Sequence, residues 1–133
     1  MIFIFMKIIL DTNFVIYCAR EKLDYFEEIS TLVNEGHELV VPIQVINELE
    51  KLKNDNFKKV SGKDKQAADL ALQLLEINKV KILNPIGKTV DEVIIKLAEE
   101  DKKNIVCTLD REMRKILGRV ILINKGKKLM LTK

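Results

Sequence analysis

The sequence predicts an α/β domain in which helices cover both faces of a central parallel sheet of about five strands, a three-layer α/β/α arrangement. Three observations carry this. Short apolar runs alternate with segments of helical period. Those runs are nearly continuous in hydrophobicity and lack the in–out alternation of a half-solvated strand, so both of their faces are covered. The chain has 133 residues, 47% hydrophobic and 32% charged, which suits one domain with a single core and is too apolar for disorder.

The first run, "MIFIFMKIIL", reads as a buried strand with a ragged start. It is too short to span a bilayer and lacks the basic leading region and small-residue cleavage site of a signal peptide. The strand is complete from Lys7 onward, which makes Met6 a second candidate initiator. A helix through Val15 and Cys18 follows, then a second over 25–35 with Gly36 as its C-cap. "ELVVP" (38–42) is the next strand, and Pro42 opens a helix carrying Val45, Ile46, Leu49 and Leu52 at helical spacing. The polar "KNDNFKKVSG" reads as a loop. "KDKQAADLALQLLEINK" is an amphipathic helix with Ala67, Ala71, Leu74 and Leu75 on one face. "VKIL" is a third strand, ended by Asn84-Pro85. "TVDEVIIKLAEEDKK" is a helix, "NIVCTL" a fourth strand, "DREMRKIL" a short helix and "RVILIN" a fifth strand; "KKLMLT" adds a short edge strand.

Charge excludes little. Lys and Arg outnumber Asp and Glu by 23 to 20, a balance too mild to assign a nucleic-acid binder by itself. Cys18 and Cys107 lie far apart in the chain without metal-ligand spacing and sit in apolar surroundings, which suits reduced core residues of an intracellular, cytoplasmic protein.

The carboxylates are more telling. In a parallel sheet, ligands bind beyond the carboxyl ends of the strands. Asp11 ends the first strand and Asp110 lies just past the fourth, so both belong to that edge. At about 100° per residue, the helix from Val90 puts Val90, Val93, Ile94, Leu97 and Ala98 on one side, with Asp91 inside that apolar sector and Glu92 outside it. Thr89 and Glu92 fit a capping box, which gives Glu92 a structural task. Glu48 flanks the apolar stripe of its own helix on one side and Glu50 on the other, and periodicity does not choose between them. Each acid has an ordinary explanation: Asp11 and Asp110 as N-caps, Asp91 at the positive end of a helix, Glu48 in solvent. Four such coincidences at one edge are less economical than a single acidic site. Such a site repels itself unless a cation neutralises it, and oxygen ligands without His or Cys suit Mg²⁺ or Mn²⁺.

The segments "ILDTNFVI", "VINELEKL", "TVDEVIIKLAEE" and "IVCTLDREMRKIL" resemble, in order, the four acidic motifs of PIN-domain ribonucleases. The resemblance covers nearly the whole chain, so 1–133 is expected to be a single PIN-like nuclease domain. "GKDKQAADLALQLLE" is similar to the small-residue helix of archaeal-type PIN proteins, which resemble both toxin ribonucleases and ribosomal-RNA-processing PIN nucleases. The resemblance implies a quartet of Asp11, Glu48, Asp91 and Asp110, as metal ligands and catalytic residues, and so selects Glu48 over Glu50. Asn13 and Thr108 match polar positions beside the metal site, while Leu109 departs from the polar residue that relatives often carry. The cofactor implied is Mg²⁺ or Mn²⁺, the reaction phosphodiester hydrolysis leaving a 5′-phosphate, and the partners RNA, an antitoxin protein if the chain is a toxin, and a second copy if it dimerises; no membrane is implied.

An acidic centre needs cations around it to accept RNA. Lys51, Lys53, Lys58, Lys59, Lys63 and Lys65 surround the polar loop, and Arg111, Arg114 and Lys115 follow Asp110. Most are expected to be solvated surface charges; Lys63 and Arg111 are the RNA-binding candidates. His37, the single histidine, is expected on the surface in a turn. Two other enzyme classes that open with a strand and an aspartate fit poorly. A haloacid-dehalogenase-type phosphatase needs a second aspartate where Asn13 stands, and a receiver domain needs one after the third strand, where Asn84 and Pro85 stand. The alternative of a different kind is a PIN-like module that binds RNA or protein without cutting.

Overall fold

The computed structural model describes residues 6–56 and 59–132. The start of the N-terminal run, 1–5, and Lys58 lie outside the described residues. Six strands form one sheet: β1 Met6–Leu10, β2 His37–Pro42, β3 Lys81–Leu83, β4 Ile105–Cys107, β5 Val120–Ile123 and β6 Leu129–Leu131. Their order is β3-β2-β1-β4-β5-β6. The first five are mutually parallel, as expected, and β6 pairs antiparallel with β5 as the short edge strand.

The helices are α1 Thr12–Glu21, α2 Tyr25–Leu32, α3 Ile43–Lys53, α4 Gly62–Ile77, α5 Val90–Glu99 and α6 Arg111–Ile116. Alternate residues of each strand serve opposite faces, which divides the core in two. Ile8, Leu10, Val41, Cys107 and Ile121 join the larger core with Phe14, Val15, Ile29, Leu49 and Ala71 of α1–α4. Ile9, Val40, Val106 and Val120 join the smaller one with Ile94, Leu97 and Met113 of α5 and α6. The three layers follow from this division. Ala67, Ala68 and Ala71 are the buried small residues that let α4 approach α1 and α3 closely.

One helix end differs from the expectation. Helix α2 stops at Leu32, and its C-cap is Val33 in extended conformation, so Gly36 does not cap it. Val33 is β-branched, favours extended backbone, and buries its side chain in the larger core. Core packing therefore ends the helix before the glycine is reached.

The strand order carries the functional consequence. From β1 the chain builds outward through β2 to β3, then returns to the other side of β1 with β4. The order thus reverses between β1 and β4, and sheets of this kind bind ligands beyond the carboxyl ends of the strands at such a switch point. The Asp11 N–H closes the last rung there, donating to the Cys107 carbonyl at 3.1 Å.

Candidate active site

Asp11 sits at the switch point and is only 4% exposed. It is the N-cap of α1: Oδ1 accepts from the Thr12 N–H at 2.8 Å. Its other oxygen, Oδ2, accepts from the Thr108 hydroxyl at 2.8 Å. Thr108, completely buried at the end of β4, also accepts at Oγ1 from the Asp110 N–H at 3.0 Å. One threonine therefore joins the carboxylate that ends β1 to the backbone that presents Asp110.

Asp110 caps α6, accepting from the N–H groups of Glu112 at 2.9 Å and Met113 at 3.3 Å. Both bonds use Oδ1, which leaves Oδ2 uncommitted among the described residues. The cap and the ligand are thus compatible roles, one for each oxygen.

Glu48 stands on the second turn of α3 and Asp91 in the first turn of α5. The Asp11 carboxyl lies above the ordinary carboxylate range. Burial is the main cause, the bonds from Thr108 and Thr12 oppose it, and the charges of Asp91 and Glu48 add to it. Glu48 is raised too, first by burial and then by Asp91, against the pull of Thr12 and Lys51. These couplings bring Asp11, Glu48 and Asp91 to one field; Glu48 and Glu50 are both exposed, but Glu50 accepts from the Asn54 side-chain amide instead.

The placement of Asp91 corrects the helical-phase expectation: it is exposed, not on a buried face. Val90 in the same turn still packs against both cores, while Asp91 beside it reaches solvent. Glu92 is exposed as well and serves the helix start, its N–H donating to Thr89 Oγ1 at 3.2 Å and its carboxylate accepting at 3.3 Å from the N–H of Lys88, one residue before the cap.

The other candidates divide. Asn13 is exposed on the first turn of α1, and Arg111 is exposed beside Asp110. Lys63 lines a hollow with Ala19, Arg20, Glu21 and Lys22, at the opposite end of α1 from Asp11 and thus about 13 Å along its axis. Lys51, grouped in the sequence with the solvated lysines, is the cation that Glu48 feels. Lys53 and Lys115 are paired with Asp69 and Glu112. His37 opens β2 at the amino edge of the sheet, remote from the acids, rather than lying in a turn. Leu109, half-buried, packs against the larger core.

Thr12 is the residue that sequence reasoning passed over. Its hydroxyl is buried and has no hydrogen-bond partner among the described residues, and it is one of the groups that oppose the upward shift of Glu48. Its signal was its position: a hydroxyl directly after the strand-ending aspartate.

Among the described residues no three His, Cys, Asp or Glu side chains are gathered closely enough to hold a metal ion. None of the four acids forms an ion pair there either. The donor set still fits a hard divalent cation. It is all oxygen, it contains a buried carboxylate with two acidic neighbours and no cation of its own, and it includes an orphaned hydroxyl.

A family model described as "PIN like domain" matches residues 8–124. The chain belongs to the PIN-domain family. This PIN domain is 34% identical over 111 residues to Ribonuclease VapC4 of Methanocaldococcus jannaschii, covering 84% of this chain and 82% of that protein. Among solved structures, the PIN domain endonuclease Utp24 superposes with a TM-score of 0.73 at 21% identity, over 94% of this chain and 90% of that one. A domain of a functionally unknown M. jannaschii protein superposes with a TM-score of 0.53 at 17% identity, over 84% and 83%. These two likenesses speak for the fold. No helix among the described residues is long and apolar enough to cross a membrane.

Proposed function

We propose that this PIN domain is a Mg²⁺- or Mn²⁺-dependent ribonuclease, with Asp11, Glu48, Asp91 and Asp110 as its acidic quartet. The observation that carries the reading is a buried carboxylate at the switch point, coupled to two further acids and in no ion pair among the described residues. A relative named as a ribonuclease, 34% identical over most of both chains, supports the same activity.

A bound divalent cation would neutralise the acids, lower the pKa of a water and stabilise negative charge on the reacting phosphate. Asp11, Asp91 and the uncommitted Oδ2 of Asp110 are the oxygens that would hold it. Thr108 fixes Asp11 and the Asp110 backbone together, so both keep their relative place. Glu48, raised above its ordinary range, is suited to accept a proton from the attacking water. The water oxygen attacks phosphorus in line, the bond from phosphorus to the 3′ oxygen breaks, and a 3′-hydroxyl and a 5′-phosphate result. Arg111 and Lys51 flank the acids as phosphate-facing cations, which position RNA without reading its sequence; Lys63 is far enough away to meet only a longer substrate.

RNA processing and the role of a toxin paired with an antitoxin use the same hydrolysis. A small antitoxin-like reading frame beside the gene distinguishes them. The test of the activity is cleavage of single-stranded RNA with Mg²⁺ or Mn²⁺, with and without excess chelator. Cleavage that stops on chelation is expected; cleavage unchanged by chelator refutes the metal requirement, and intact RNA under all conditions favours a module that binds without cutting.

A further inference from the structure

The segment between β3 and α5, residues 84–89, delivers Asp91 to the site. It is held by Gln44, the second residue of α3. The Gln44 amide nitrogen donates to the Pro85 carbonyl at 2.9 Å and to the Gly87 carbonyl at 3.1 Å. Both amide hydrogens are thereby used. The Gln44 Oε1 is buried and accepts no hydrogen bond among the described residues. Turning the amide over would set that oxygen against two carbonyls, so its chemistry fixes its orientation.

The segment is also pinned from the α5 side. Lys96 Nζ donates to the Ile86 carbonyl at 3.1 Å. Gly87 lies so close to α5 that an added Cβ would collide with Val93. The segment is therefore a wedge between two helices, clamped by a side chain from each.

Gln44 and Glu48 are four residues apart on α3 and so share one face of it. The clamped segment runs through Thr89, the N-cap of α5, to Asp91. Glu48 and Asp91 in turn feel each other's charge. One side chain thus ties the helix that carries Glu48 to the segment that places Asp91. We propose that Gln44 is a positioning residue that sets the separation of Glu48 and Asp91 by clamping the carbonyls of Pro85 and Gly87 to α3. The proposal rests on the reading of this site as the hydrolytic centre. A purely stabilising role fits the residue less well, because the two bonds it makes are offset by the buried acceptor it leaves unpaired.

The test uses Gln44→Met, which keeps the length of the side chain and removes both donors. Nitroxide labels on Glu50→Cys and Glu99→Cys, exposed positions of α3 and α5, report the distance between the helices by pulsed EPR. The parent should give one narrow distribution, and Gln44→Met a shifted or broadened one at an unchanged urea midpoint. In RNA cleavage, Gln44→Met should lower kcat about tenfold and raise the Mg²⁺ concentration for half-maximal rate several-fold, within the range of outer-shell partners of metals, with KM for RNA unchanged. Gly87→Ala, which displaces the same segment from the α5 side, should give the same split. A parental distance distribution in Gln44→Met, or parental kcat and metal requirement, overturns the proposal. If the parent itself does not cleave RNA, the hydrolytic reading fails, while the EPR distances still decide whether the clamp exists.

Discussion

Thr108→Val removes one oxygen and nearly nothing else, yet two bonds depend on that oxygen. Asp11 Oδ2 loses a 2.8 Å donor, and the Asp110 N–H loses a 3.0 Å acceptor. A hydrogen bond to a charged partner contributes about 1.5–3 kcal/mol and a neutral one about 1 kcal/mol. Asp11 is nearly inaccessible to water, so little replaces its lost donor. The expected loss is about 2–4 kcal/mol, a large share of the roughly 5–15 kcal/mol that holds a domain of this size. Thr108→Ser keeps the hydroxyl and loses one methyl group, which costs about 1 kcal/mol. Urea unfolding of the three proteins without metal, at neutral pH, measures both differences. The valine deficit should shrink at acid pH, where a protonated Asp11 no longer presents a buried charge. A valine variant as stable as the serine variant would refute the reasoning, since the shared hydroxyl would then not be what holds Asp11.

Three further outcomes follow from the geometry. Asp91→Asn should reduce cleavage by more than the roughly 10–100-fold typical of outer-shell partners of metals, whereas Glu92→Gln, still able to serve the helix start, should retain most activity; equal losses would place Asp91 outside the site. Burial pushes the Cys18 thiol up to about 12 and holds Cys107 well above its ordinary range, so neither should react with iodoacetamide at neutral pH until the chain unfolds; rapid alkylation of the folded protein would contradict the packing of β4 against α1. Asp11 and Glu48 are both raised, so the folded metal-free chain binds protons more tightly than the unfolded one. The contribution of these two groups to stability should be fully present below the unfolded carboxylate pKa of about 4 and be lost as pH rises through the folded values, so the stability of the parent relative to Asp11→Asn should fall across that window; a difference that moves in the parent's favour there would reverse the assigned sign.

Much of this arrangement was legible in the residues themselves. Asp11 and Asp110 follow apolar runs, and a parallel sheet sends the ends of such runs to one edge. Their closeness depends on β4 lying beside β1, which a linear pattern does not state. Glu48 and Glu50 flank their stripe symmetrically; what separates them in space is the position of α5, an element forty residues further on. Asp91 marks the limit of helical phase. Phase gives the direction of a side chain relative to its own helix but not which side chains on that face the neighbouring elements cover. Gly36 marks the limit of local capping signals, because burial of Val33 ends α2 first. Gln44 was illegible for a related reason: it acts through atoms brought near by the tertiary fold, and a glutamine is not unusual where it stands, whereas Thr12 left the trace of a hydroxyl directly after the strand-ending aspartate.

The central claim is that Asp11 is a ligand of a divalent cation and not only the cap of α1. Asn caps a helix about as well as Asp, so Asp11→Asn leaves the cap in place and removes the charge. Thermal melts of both proteins, in chelator and in millimolar Mn²⁺, separate the two roles. In chelator the variant should be at least as stable as the parent, because a buried carboxylate with two acidic neighbours has been neutralised. Mn²⁺ should raise the melting temperature of the parent by mass action, with about 2.7 kcal/mol gained at a hundredfold excess over Kd. The variant, lacking a charged ligand, should respond much less. Equal metal-induced shifts in the two proteins would contradict the account and leave Asp11 as a cap held by Thr12 and Thr108 alone.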